Sequence, residues 1–210
     1  MLLTLMRYDL IQVWRHGLSC LTPLLFFIMV TALFVIAMGD NLSLMAPSIL
    51  WISALLSVLL SIDTLFTRES ETGCLDHLLL SVHSLTKLVV MKLVSHWIMH
   101  SLPLIIVSPF LGLLLHASLP DITIIIIGLL LGTPVLTLFG ALGAALMIGI
   151  RDNSILLPIL IMPFYIPILI FGIGAITHPV SLIFLSALLL FSLATLPFLI
   201  RTALKIGVDI

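Results

Sequence analysis

Charge is the scarce ingredient of this sequence. Of 210 residues only 8% are Asp, Glu, Lys or Arg, whereas 62% are hydrophobic and the mean hydropathy is +1.41. Apolar surface on that scale exceeds what a water-soluble core can hide, which excludes an ordinary globular domain and places the chain in a bilayer. The alternation of apolar and polar residues that marks barrel strands is also missing, for instance from Ile122 to Ile150, so the spans are predicted to be helices. Carboxylates are absent from the middle of every apolar run. Asp9, Asp40, Asp63, Glu69, Glu71, Asp76, Asp121, Asp152 and Asp209 all fall in loops or at span ends, which argues against proton coupling through buried acids. The chain has no G-x-x-x-x-G-K-[ST] phosphate cradle, and its longest polar stretch, roughly 30 residues, is too short for a nucleotide-binding domain. Any work done on or by this protein must therefore be supplied by a partner.

What is present is a series of six apolar runs, at about 18–38, 44–62, 93–115, 122–149, 155–176 and 180–200, each near the roughly 20 residues that cross a bilayer. The eight basic residues sort cleanly against them. Arg7 and Arg15 precede the first run, and Arg68, Lys87 and Lys92 separate the second from the third. Arg151 follows the fourth, and Arg201 and Lys205 follow the sixth. All lie on one side, which the positive-inside rule makes cytoplasmic, with both termini on that side. The first run is about 20 residues long, lacks a small-x-small cleavage site and is followed by five more, so it reads as a retained span and not a removed signal. Cys20 and Cys74, the two cysteines, fall on the reducing side, and no disulfide is expected.

Ahead of the first run, "MLLTLMRYDLIQVWRH" gathers Leu2, Leu3, Met6, Leu10, Val13 and Trp14 on one arc of a helical wheel. Residues 1–17 are therefore predicted to form an amphipathic helix lying in the membrane interface. In the second run Ser53, Ser57 and Ser61 recur every fourth residue, a face that admits a close neighbour, with a polar permeation stripe as the sharper alternative. The fourth run carries Gly128/Gly132 and Gly140/Ala144 at small-xxx-small spacing, and the fifth carries Pro158, Pro163 and Pro167. His96 and His100, one turn apart, have the spacing of two ligands on one metal face. However, no H-E-x-x-H pattern or second histidine box accompanies them, and two histidines on one helix face cannot ligate opposite sides of one haem iron. No serine sits in a G-x-S-x-G context with a credible histidine partner.

The long polar interruption, residues 63–92, holds a small amphipathic unit. Leu75, Leu78, Leu79 and Val82 follow an i, i+3, i+4, i+7 pattern, so one face of a short helix is oily while Asp76, His77 and Ser81 turn away. Such a helix, held in the cytoplasm by two spans, fits a groove on a partner protein, or alternatively lies flat on the lipid headgroups.

The stretch "RESETGCLDHLLLS" resembles the E-x-x-x-G-[ST]-L-[DE]-x-L-L signature of exporter-type ABC permeases, matched at Glu69, Gly73, Leu75, Asp76, Leu78 and Leu79. With "KLVSHWIMHSLPLIIVSP", "LLGTPVLTLFGALGAAL" and "LLPILIMPFYIPILIFG", the whole chain resembles the CcmB family of haem-exporter permeases. The resemblance implies an all-α, six-span permease domain over residues 1–210, in the inner membrane and non-catalytic by itself. It further implies a coupling helix near Gly73–Leu80, with Glu69 and Glu71 beside it, seated on the ATPase CcmA. CcmC and CcmD would be further partners and the haem chaperone CcmE a functional one, in a complex with two copies of this chain and no nucleic acid. ATP would act through the partner and haem through the complex, with no cofactor or metal ligand assigned here. Cys74 stands where the signature has Ser or Thr, and Val82 and His83 where a proline commonly closes it. His96 and Trp97 fit the family pattern and His100 does not. The alternative is a permease of similar build for another lipophilic or polymeric substrate, and a membrane metalloenzyme using His96 and His100 is a third reading.

Overall fold

The computed structural model describes residues 17–38, 42–62, 65, 85–147 and 153–208, and among them regular structure is entirely helical. The first two spans are α1 (Gly17–Met38) and α2 (Leu42–Ile62). The third is composite: α3 (Leu85–His96), a π-helical turn (Trp97–Ser101) and α4 (Leu102–Leu114) run on without a break. Three more complete the bundle, α5 (Leu119–Leu146), α6 (Asn153–Gly174) and α7 (Val180–Val208). Among the described residues six helical segments are thus long and apolar enough to cross a membrane, as the composition requires. The chain is a multi-pass membrane protein.

The ends of these helices are set by local chemistry. Ser118 caps α5: its Oγ accepts from the Asp121 backbone N–H at 3.3 Å and its hydroxyl donates to Asp121 Oδ2 at 2.6 Å, with Pro120 in the first turn. This cap starts α5 at Leu119, ahead of the apolar run that begins near Ile122. The turn before it is closed by His116 at φ 57°, a left-handed conformation, with Ala117 N–H bonded back to Gly112 O. The third helix likewise begins at Leu85, ahead of the apolar run read from Leu93, so exposed Lys87 lies on its first turns.

α5 is the centre of the bundle, packing on α2, α4, α6 and most extensively on α7, while α1 stands outside against α2 and the third span. α1 accordingly presents Leu25, Met29, Leu33 and Ile36 outward, which suits lipid. Among the described residues Trp51 is the largest fully buried side chain. It extends from α2 into a slot floored by three glycines, Gly128 and Gly132 on α5 and Gly172 on α6. A Cβ at Gly132 would stand 2.5 Å from the indole, and one at Gly172 closer still. The small-xxx-small spacing on α5 is therefore the imprint of an aromatic wedge, which locks three helices together by contact alone. Below it, Gly140 faces Ile62 and Tyr165, whose hydroxyl donates to Leu136 O at 2.8 Å.

Candidate functional site

Two regions are candidates for the site: the loop between α2 and α3, and the polar cluster at its root. The signature residues Glu69, Glu71, Gly73, Leu75, Asp76, Leu78 and Leu79 lie outside the described residues, as does the amino-terminal segment 1–16. The two helices that carry that loop, α2 ending at Ile62 and α3 beginning at Leu85, are described.

Their contact is polar. Ser61, on the last turn of α2, donates its hydroxyl hydrogen to Val58 O at 2.7 Å, and its Oγ lies 3.2 Å from His96 Nε2 on α3. One turn on, the His100 ring lies against that of His96, centroids 4.3 Å apart and planes tilted by 41°. Both rings are buried, so the pair faces the bundle interior and not the lipid boundary. Among the described residues no group of three or more His, Cys, Asp or Glu is placed to hold a metal ion.

The next residue, Trp97, ties the third span to the bundle centre: its Nε1–H donates to Thr133 Oγ1 on α5 at 2.9 Å. The helix widens immediately after these two contacts. The Leu102 N–H bonds to Trp97 O, five residues back, in place of the α-helical four. Pro103 supplies the reason. It has no N–H to give to the carbonyl of Met99, and its ring crowds that carbonyl in a regular helix, so the chain admits one extra residue to the turn. An inserted residue rotates the helix on its amino-terminal side relative to the helix on its carboxy-terminal side, and here Ser95, His96, His100 and Ser101 are all buried.

Polar satisfaction is uneven across the molecule. Buried Thr31, Ser57, Ser108, Thr137 and Ser192 each bond to a backbone carbonyl of their own helix. By contrast Trp51 Nε1, Ser53 Oγ, Ser95 Oγ, His100 Nδ1 and Ser101 Oγ are buried without a hydrogen-bond partner among the described residues. All five belong to α2 or to the third span, the two spans that flank the signature loop. The serine row on α2 is thus a packing face throughout, with Ser57 bonded to Ser53 O and Ser61 turned to His96. At the same end of the bundle, Arg201 of α7 reaches Thr86 of α3, Nη1 to Oγ1 at 3.4 Å.

Spacing in the sequence singled out the two histidines but gave no sign of Ser61, 35 positions away, as a partner. The wide turn leaves one local sign, a proline two residues after a buried polar pair. The slot around Trp51 leaves another in its glycine spacing.

A family model described as CcmB protein matches residues 1–207 of this chain. The Heme exporter protein B of Pseudomonas aeruginosa is 40% identical over 205 residues, covering 93% of this chain and 92% of that protein. Its counterpart in Paracoccus denitrificans is 39% identical over 209 residues, 95% and 96% of the two chains. That of Escherichia coli K12 is 36% identical over 213 residues, 97% of each. With its length, its helical build and more than a third of its residues shared from end to end, this chain belongs to the CcmB family.

Proposed function

We propose that the chain is the permease subunit of an ABC transporter complex in cytochrome c maturation, lodged in the inner membrane with both termini cytoplasmic. It takes part in haem export, as the name carried by its relatives implies. It is non-catalytic, and a separate ATPase subunit, CcmA, supplies the energy. The nucleotide cycle is spent on haem delivery or on release of the haem-loaded chaperone CcmE, with CcmC and CcmD in the same assembly and two copies of this chain against two ATPases.

The observation that carries this reading is the position of the permease signature. Glu69, Gly73, Leu75, Asp76, Leu78 and Leu79 fall between the two spans whose facing ends are joined through Ser61 and His96. A push on a helix near Gly73–Leu80 enters α2 and α3 together, because the contact at their base resists separation. It then reaches α5 through Trp97 and Thr133. Leu75, Leu78 and Leu79 form the oily face that seats in the ATPase groove. Asp76, His77 and Ser81 turn to the other side of the same element, and Glu69 and Glu71 precede it.

The test is a double substitution, Leu78→Asp with Leu79→Asp, on the tagged chain expressed with its operon partners. The expected result is loss of the copurifying ATPase and of holocytochrome c, with all six spans still inserted. Undiminished ATPase recovery would refute the docking role.

A further inference from the structure

Five buried polar atoms without partners among the described residues, all on two neighbouring spans, together with a π turn that itself carries two of them, His100 and Ser101, describe a structure poised between two packings. A membrane interior has no water to satisfy such groups, so a span that leaves several unpaired is held there by something else or settles elsewhere. The holding contact is visible. Trp97 Nε1–H on Thr133 Oγ1, 2.9 Å, is the side-chain hydrogen bond that fastens the π turn to α5.

A chain can accommodate Pro103 in two ways. One is the bulge present at Trp97–Ser101, where the Leu102 N–H passes over one carbonyl and bonds to Trp97 O. The other is a regular helix kinked at the Met99 carbonyl, against which the proline ring would press. The two differ by one residue of register, which turns α3 relative to α4 by about 100° and moves it about 1.5 Å along the axis. Ser95, His100 and Ser101, the unpaired groups of this span, sit at or beside the turn, where a register change gives them new neighbours. The remaining two, Trp51 Nε1 and Ser53 Oγ, are on α2, the span that His96 of α3 meets at Ser61.

We propose that the π turn at Trp97–Ser101 is a register hinge: the third span alternates between this bulged form and a regular, proline-kinked form. The Trp97–Thr133 bond is the latch of the bulged form. The role given to the hinge in transmission rests on the proposed function, but the hinge itself is a property of this chain alone.

Paired spin labels test it. Val90 on α3 and Ile106 on α4 are both exposed and straddle the turn, and a straight helix would separate them by roughly 24 Å. Val180 and Leu193, exposed on the unbroken first half of α7, serve as the reference pair. Both pairs are introduced as cysteines in the full chain with Cys20→Ser and Cys74→Ser, in nanodiscs, first alone and then with the ATPase subunit and a non-hydrolysable ATP analogue. The expected result is two distances for the Val90/Ile106 pair, differing by about 5 Å, with one narrow distance for the α7 pair. Thr133→Val should enrich the second distance, and Pro103→Ala should collapse the pair to a single one. A single distance for Val90/Ile106, as narrow as the reference and unmoved by Thr133→Val or by nucleotide, overturns the hinge. Failure of the ATPase to bind would sink the proposed function, and the measurements on the chain alone would still decide the hinge.

Discussion

Substituting Gly172 by Ala should destabilise the protein when Trp51 is present and stabilise it when Trp51 is gone. An added Cβ at Gly172 meets the buried indole at less than contact distance. The indole is already bounded by Gly128 and Gly132 on α5, so it has no free direction in which to retreat. Overpacking of this kind costs about 1–3 kcal/mol, and a rigid ring confined on two sides belongs in the upper part of that range. Against it stands the helix-propensity gain of Gly to Ala, about 1 kcal/mol, which leaves a net loss of about 1–2 kcal/mol. With Trp51→Ala the obstacle is gone and only the propensity gain remains, so the same Gly172→Ala change should now add about 1 kcal/mol. The coupling between the two positions is then about 2–3 kcal/mol, a size expected of residues in direct contact. Reversible unfolding of the four variants in mixed micelles, tracked by the fluorescence of the other tryptophans and by circular dichroism, measures it. Equal effects of Gly172→Ala in both backgrounds would refute the reasoning, because the slot would then not be what sets glycine at that position.

How much of this was legible in the sequence depended on whether the determining force was composition or geometry. The six spans were readable because lipid imposes a single requirement on every one of them, and a run of Leu and Ile meets it irrespective of neighbours. Their ends were less so. The third helix already includes Lys87, whose charge hydropathy counts as loop but which a helix at the interface accommodates by turning the ammonium to water. The row Ser53, Ser57, Ser61 was readable as a face that packs, and Gly128 with Gly132 as a place of close approach. Neither pattern names its partner, since the wedge that fills the glycine slot is on another helix. The wide turn was hidden for a different reason. Over five residues, the periodicity of a π turn cannot be told from that of an α-helix, and only Pro103 marks the spot. The proposed coupling residues Glu69 to Leu79 came from a sequence signature and lie outside the described residues. For them the structure supplies the two anchoring helices and the contact between their ends.

Two further outcomes are expected. Single cysteines at exposed Thr177 and exposed Lys205, in a chain with Cys20→Ser and Cys74→Ser, should differ in reach of an impermeant thiol reagent. Thr177→Cys should react in intact spheroplasts and Lys205→Cys only after permeabilisation, and the reverse pattern would invert the topology drawn from the basic residues. The Trp97–Thr133 contact gives the last expectation. Trp97→Phe keeps an aromatic ring but removes the N–H, leaving Thr133 without its donor, and Thr133→Val keeps the volume but leaves the half-buried indole without its Thr133 acceptor. Each single change should therefore cost about 1 kcal/mol in the same unfolding assay, and the double change no more than either alone, because it removes both halves of one bond. If the losses simply add, the two side chains contribute independently and the contact does not fasten the third span to α5.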